Sequence, residues 1–264
     1  MFAPALLANR VAIVTGGGTG LGLAIAARLG ELGALVAIGS RNAAHLESGT
    51  AALRHAGLDP QAIQIDVRKP EQVDEMVTRV VRHFGRIDIL INNAAGNFVC
   101  PAEELSPNGW NAVVGSVLNG SFYCARAVGR HMIARGDGGS IVSILANYVW
   151  TGSAGTVHSA AAKAGVMSMT QTLAVEWARH RIRVNAVAPG PIESDGAARQ
   201  LWNSPAAAAR VAETVPLGRF GTPGEVADAV AFMVSDHAGF ITGETLTVDG
   251  GAWMGRGPFG FLKR

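Results

Sequence analysis

Charged side chains are scarce in this sequence: 16% of 264 residues, against 48% that are apolar. That balance is far from the polar, highly charged one of disordered chains, and it leaves ample material for a core. Neither sign of charge dominates. Lys and Arg number 22 against 20 Asp and Glu, giving a formal charge of +2, and the basic residues are scattered instead of striped. Nucleic acid is therefore not expected as a partner. Cysteine is nearly absent. Cys100 and Cys124 stand far apart, which excludes a disulfide framework and a Cys-based metal site, and both read as ordinary reduced thiols. No run of about 18 uncharged apolar residues occurs, so no membrane-spanning helix is expected. The opening Met1 to Ala8 is apolar but lacks a basic flank, so it reads as no signal peptide, and a cytoplasmic location is the expectation. No low-complexity linker divides the chain, so a single domain over residues 1–264 is expected.

Glycine, by contrast, is plentiful, with 34 copies that punctuate places where an apolar run of strand length gives way to a helical period. Apolar runs at Val11 to Thr15, Leu35 to Gly39, Ala62 to Ile65, Ile87 to Ile91, Ser140 to Leu145, Arg183 to Val187 and Thr245 to Val248 read as strands buried on both faces. Helical patterns lie between them at Gly20 to Leu32, Ala43 to Ala56, Glu71 to Phe84, Pro107 to Ala134 (with a possible break), Val157 to Arg179 and Pro223 to Ser235. Ser106 with Pro107 fits an N-cap and first helical position, and Thr222, Pro223 and Glu225 fit a capping box. Alternating strands and helices specify an α/β protein with a parallel sheet covered on both faces. Residues 189–215 are the least regular stretch and read equally as a lid or as surface helices. The tail from Met254 onward reads as frayed or docked on a partner subunit.

The first strand runs into Thr15-Gly16-Gly17-Gly18-Thr19-Gly20-Leu21-Gly22 and then a periodic helix. Glycines at this junction let the backbone turn tightly and approach a pyrophosphate, whose charge meets the first amides of the helix. After the second strand, where a carboxylate would bind an adenosine ribose 2′-hydroxyl, the chain has Ser40 and Arg41 instead. A guanidinium suits a 2′-phosphate, so NADP(H) is favoured over NAD(H); the alternative is an Arg41 that merely snorkels from a helix start. Asp66 and Val67, past the third strand, are placed beside the adenine.

With these residues in hand, the chain resembles the short-chain dehydrogenase/reductase family over nearly its whole length. The resemblance is carried by the glycine loop, Asn92-Asn93-Ala94-Ala95-Gly96, Asn119, Arg183-Val184-Asn185, Pro189-Gly190 and Val248-Asp249-Gly250-Gly251. It implies a Rossmann-like doubly wound sheet of about seven parallel strands and assembly as a homotetramer through the helices holding Asn119 and Lys163. It also implies that Asn93, Ala94, Ala95, Gly96, Pro189, Gly190, Ile192 and Ser194 flank the cofactor.

The family pattern of a serine after the fifth strand and Tyr-x-x-x-Lys on the next helix fails here. Lys163 is present, but Ser159 stands where the tyrosine is expected and Ala146 where the serine is expected. Ser159 and Lys163 share a helical face, yet an aliphatic hydroxyl is far too weak an acid to replace a phenol. Tyr148, just past the fifth strand, is the candidate replacement. With Asn97, Ser159 and Lys163 it resembles the 2,4-dienoyl-CoA reductase branch, while Val157-His158-Ser159 and the opening Ala3 to Leu7 also resemble peroxisomal trans-2-enoyl-CoA reductases. The dienoyl branch implies an acyl-CoA thioester substrate whose δ-carbon accepts a hydride, with Tyr148 and Asn97 donating to the thioester oxygen. It implies that Lys163 holds the nicotinamide ribose and that Ser159 positions Lys163 or a water. Tyr148 as a plain loop residue and Asn97 as a turn residue remain open readings. His158 is read as packing, and Asn119 as a ligand of water or backbone more than a surface residue. Glu193 carries no assigned role, and Arg199, Arg219, Arg256 and Lys263 are unplaced candidates for CoA phosphates. A trans-2-enoyl-CoA reductase, a carbonyl reductase and a non-catalytic NADP-binding scaffold are the competing readings.

Overall fold

Apolar runs with both faces covered become the strands of one sheet in a computed structural model that describes residues 2–193 and 204–254. They are β1 (Val11–Thr15), β2 (Leu35–Ser40), β3 (Gln61–Gln64), β4 (Ile89–Asn92), β5 (Gly139–Ile144), β6 (Ile182–Pro189) and β7 (Thr245–Val248). All pair in parallel in the order β3-β2-β1-β4-β5-β6-β7. The winding direction reverses between β1 and β4, so a crevice opens beyond their carboxyl ends, the place where open α/β sheets take ligands. This is the expected Rossmann-like, seven-stranded arrangement, and the described residues form one domain around it.

The helices are α1 (Gly20–Glu31), α2 (Ala43–His55), α3 (Pro70–Phe84), α4 (Pro107–Val114), α5 (Gly120–Arg135), α6 (Val157–Trp177), α7 (Pro205–Thr214) and α8 (Pro223–Val234), all but α7 at the expected periods. Ser106 caps α4 by accepting the Gly109 N–H, and Thr222 and Glu225 form the expected box at the start of α8. One sheet face is covered by α1 and α8, whose Ile25, Leu29, Val226 and Val230 are fully buried in a shared cluster. Each such side chain contributes about 1.5–3 kcal/mol of burial. The other face carries α3 and α5, with Val73, Met76, Cys124, Val128 and Met132 in its core. The irregular stretch is described at residues 189–193 and 204–215, where α7 is its helix. Ser194, Arg199, Arg256, Lys263 and the tail beyond Met254 lie outside them.

The long segment after residue 107 does break. Between α4 and α5, Gly115–Asn119 forms a π-helical turn. The Ser116 hydroxyl donates to the carbonyls of Ala112 (2.9 Å) and Val113 (3.2 Å), competing with backbone donors for those acceptors. Val113, before the turn, and Val117, within it, pack with Ala162 and Val166 of α6. After it, α5 faces the sheet and α3.

Candidate active site

The glycine loop is shaped by contacts that no side chain could share. Gly16 has φ +67°, and a Cβ at Gly22 would lie 2.2 Å from the Gly16 carbonyl oxygen. A Cβ at Gly18 would lie 2.4 Å from the carbonyl oxygen of His45 in α2. The N-cap Thr19 makes no side-chain bond to α1, and no acidic residue sits in that helix's first turn. The leading amides, with Leu21 among the first helical residues, thus remain available to an anion. The loop is tied to the segment after β4: the Thr15 hydroxyl donates to Ile91 O and accepts the N–H groups of Asn93 and Ala94, each at 3.0 Å. Asn93 Nδ2 donates in return to Thr15 O and Gly16 O. Such a backbone cradle fits a dinucleotide pyrophosphate, and Ala95 and Gly96 follow it exposed.

Beyond β2, Ser40 Oγ accepts the Asn42 N–H at 3.3 Å, and Asn42 caps α2. Arg41 is exposed, and among the described residues its guanidinium has no hydrogen-bond partner, although it lines one cleft with Gln64, Asp66 and Lys69. The free cation sits where a carboxylate would select NAD(H), and it fits a phosphate there. Asp66 pairs with Arg68 at 2.5 Å, a bond that holds its carboxyl below the usual range. Val67 packs against Gly120, where a Cβ would come within 2.7 Å of it. Across the crevice, β6 ends at Pro189, the Gly190 N–H donates to Val248 O at 3.0 Å, and Ile192 bridges to Gly221.

The candidate reacting groups gather at the carboxyl end of β5. Tyr148 lies in the short 3₁₀ turn Asn147–Val149, half-buried, with its hydroxyl 2.9 Å from Ser159 Oγ. Burial pushes the phenol above its usual range, only partly offset by that hydrogen bond, so it stays protonated and able to donate. One turn further along α6, the buried Lys163 donates from Nζ to Ile144 O, and desolvation pulls its ammonium down to about 8. Ser159 was expected to position Lys163 or a water; its hydroxyl bonds Tyr148, while Lys163 bonds Ile144 O. The bond to Ser159 anchors the Tyr148 hydroxyl to the first turn of α6.

Asn97 is half-buried. Its Oδ1 accepts the Phe98 N–H at 3.0 Å, and among the described residues its amide Nδ2 has no partner. The turn role and a free donor therefore coexist. The Phe98 ring lies 4.4 Å from that of His158, which is fully buried with neither ring nitrogen bonded. Tyr148 and the Asn97 loop consequently converge on consecutive residues, His158 and Ser159, in the first turn of α6. Asn119 departs from expectation: it is exposed, and its side chain has no hydrogen-bond partner among the described residues. The buried stripe Val113, Val117, Gly120, Ser121 and Cys124 runs along the other side of the helix, which leaves position 119 outside it. Asn147 carried no signal in the sequence beyond its place beside Tyr148, yet its amide donates to Asp249 Oδ2 at 3.0 Å. Among the described residues no cluster of His, Cys, Asp and Glu could hold a metal, and no helix is long and apolar enough to cross a membrane.

A doubly wound sheet with this glycine cradle at its switch point and a lysine–hydroxyl–phenol group opposite defines a nicotinamide-dinucleotide oxidoreductase. The family model described as enoyl-(acyl carrier protein) reductase matches residues 16–252. A Bacillus subtilis protein named probable 2,4-dienoyl-CoA reductase, (2E)-enoyl-CoA-producing, is 48% identical over 95% of this chain and 99% of its own. A Danio rerio peroxisomal 2,4-dienoyl-CoA reductase, (3E)-enoyl-CoA-producing, is 41% identical over 96% of this chain and 85% of its own. The crystal structure of a Bacillus anthracis short chain dehydrogenase superposes with a TM-score of 0.87 at 46% identity, covering 95% of this chain and 99% of that one. The chain belongs to the short-chain dehydrogenase/reductase family.

Proposed function

We propose that the protein is an NADPH-dependent reductase of acyl-CoA carbon–carbon double bonds that converts 2,4-dienoyl-CoA to 3-enoyl-CoA. The observation that carries this is the Tyr148–Ser159 bond beside a buried Lys163, in place of a tyrosine four residues before that lysine. The names of the relatives support the substrate, and the free guanidinium of Arg41 supports NADP(H). Exposed Phe122 on α5 and Val175 on α6 support a homotetramer through those helices, and the free cysteines suit a cytoplasmic location.

When bound, the dinucleotide supplies a hydride from nicotinamide C4 to the δ-carbon of the dienoyl chain. Charge then moves through the conjugated system to the thioester oxygen, where Tyr148 Oη and Asn97 Nδ2 donate. Their bonds strengthen as that charge develops, which lowers the barrier without tightening the neutral ground state. Ser159 holds the phenol in place. Lys163 holds the nicotinamide ribose hydroxyls. A proton drawn from water and delivered to the α-carbon of the dienolate leaves the 3-enoyl product, whereas its delivery to the γ-carbon would leave the 2-enoyl product named for the Bacillus subtilis relative.

The test follows NADPH absorbance with 2,4-dienoyl-CoA, trans-2-enoyl-CoA and 3-oxoacyl-CoA under identical conditions, with NMR of the product. Preference for the dienoyl thioester supports the proposal, and preference for either other compound overturns it. Tyr148→Phe should lower kcat on the order of 100-fold with NADPH affinity intact; unchanged turnover would remove the oxyanion role.

A further inference from the structure

The turn that carries Tyr148 is three residues long, closed by Val149 N–H to Ala146 O (3.2 Å) and Gly152 N–H to Tyr148 O (2.8 Å). So short a turn does not fix a side chain by itself. The residues flanking Tyr148 are instead tied to the segment after β7. On one side, Asn147 Nδ2 donates to Asp249 Oδ2 at 3.0 Å. On the other, the Trp150 ring lies 5.2 Å from that of Trp253 at an interplanar angle of 32°. That segment is wound around the Asp249 carboxylate, which accepts the Gly251 N–H and the Trp253 N–H, both at 2.9 Å. Gly190 presses on the anchor from a third side, since a Cβ there would lie 2.4 Å from Asp249 Cβ.

We propose that Asn147, together with the Trp150–Trp253 stack, is a positioning clamp. It fixes the Tyr148 phenol at Ser159 and makes turnover depend on residues 249–253. Among the described residues Asn147 makes no hydrogen bond to Ser159 or Lys163, so it acts through its neighbour in sequence. The proposal rests on the reading of Tyr148 as donor to the thioester oxygen. Misplacing a donor by a fraction of an ångström weakens it in the transition state while leaving cofactor binding untouched.

The test is a double-mutant cycle of Asn147→Ala and Tyr148→Phe, with kcat, the Kd for NADPH and circular dichroism measured on each purified protein. Asn147→Ala alone should lower kcat on the order of 10-fold, leave the NADPH Kd unchanged, and add nothing in the Tyr148→Phe background. Wild-type turnover in Asn147→Ala, or a loss that multiplies fully with that of Tyr148→Phe, would overturn the clamp. Unchanged turnover in Tyr148→Phe itself would overturn the functional reading, a separate failure. A second variant guards against simple misfolding. Asn147→Asp sets a carboxylate against Asp249, so it should be inactive at neutral pH and regain turnover toward about pH 5, as one proton comes to be shared between the two groups. Asn147→Ala should show no such recovery. A flat pH response in the folded Asn147→Asp protein would count against the clamp.

Discussion

The two sides of the crevice are built by different means. On the cofactor side, backbone meets backbone: Gly16, Gly18 and Gly22 sit where a Cβ would strike a carbonyl or the Asn93 amide, and Thr15 and Asn93 knit two loops together. On the reacting side, side chains hold short turns: Ser159 holds Tyr148, Asn147 reaches Asp249, and Phe98 rests on His158. A site made of backbone tolerates almost no substitution at its glycines. One made of side chains can be rebuilt residue by residue, and here the phenol enters from the end of β5 while the lysine keeps its place on α6.

The sharpest way to break the first region is Gly22→Ala. The new Cβ meets the Gly16 carbonyl at 2.2 Å, so NADPH affinity should fall on the order of 100-fold, roughly 3 kcal/mol of overpacking strain, in a fluorescence titration. Next in size, Arg41→Ala should weaken NADPH binding about 10-fold through loss of one charged phosphate contact and leave NADH binding unchanged; equal losses for both would assign Arg41 to the helix start alone.

The second region carries groups whose burial opposes stability. Lys163 titrates near 8 in the folded chain and near 10.5 when unfolded. Below pH 8 both states are protonated and the full cost of burying the charge is present; between those values the unfolded state holds more protons, so stability rises with pH. Lys163→Met should therefore abolish activity yet raise the melting temperature at pH 7 by a few degrees, about 1–3 kcal/mol after allowing for the lost bond to Ile144 O. The smallest effect belongs to His158, which burial also pulls down. Its neutral form is retained above the ordinary histidine value of about 6.5, and stability is lost as pH falls below it. His158→Leu should flatten that acid limb in urea melts, and an unaltered limb would assign it to other groups.

Much of the fold was legible because buried parallel strands and amphipathic helices differ so plainly in period. The seven apolar runs became the seven strands, although β4 opens at Ile89 instead of Ile87 and β6 extends to Pro189. The cofactor loop was legible for the same reason that it is intolerant, since glycine is the one residue able to fill it. Tyr148 was singled out because the tyrosine missing from α6 left a chemical vacancy, and the structure sets its phenol on Ser159 at that place in the helix. Asn147 was not, because an amide beside a tyrosine gains meaning only from Asp249, which is 102 residues away. The exposure of Asn119 was hidden for another reason. It depends on which side of a helix residue 119 falls, and residue 119 ends a turn of irregular pitch.

That turn, Gly115–Asn119, works as a dislocation works in a crystal. One surplus residue lets Val113 and Val117 address α6 while Cys124, Val128 and Met132 address the sheet, two neighbours that a helix of uniform pitch would not satisfy with the same spacing. Each residue of an α-helix advances by about 100°, and the turn takes up the surplus residue that would otherwise rotate everything downstream by that amount, so the thiol of Cys124 stays in the core.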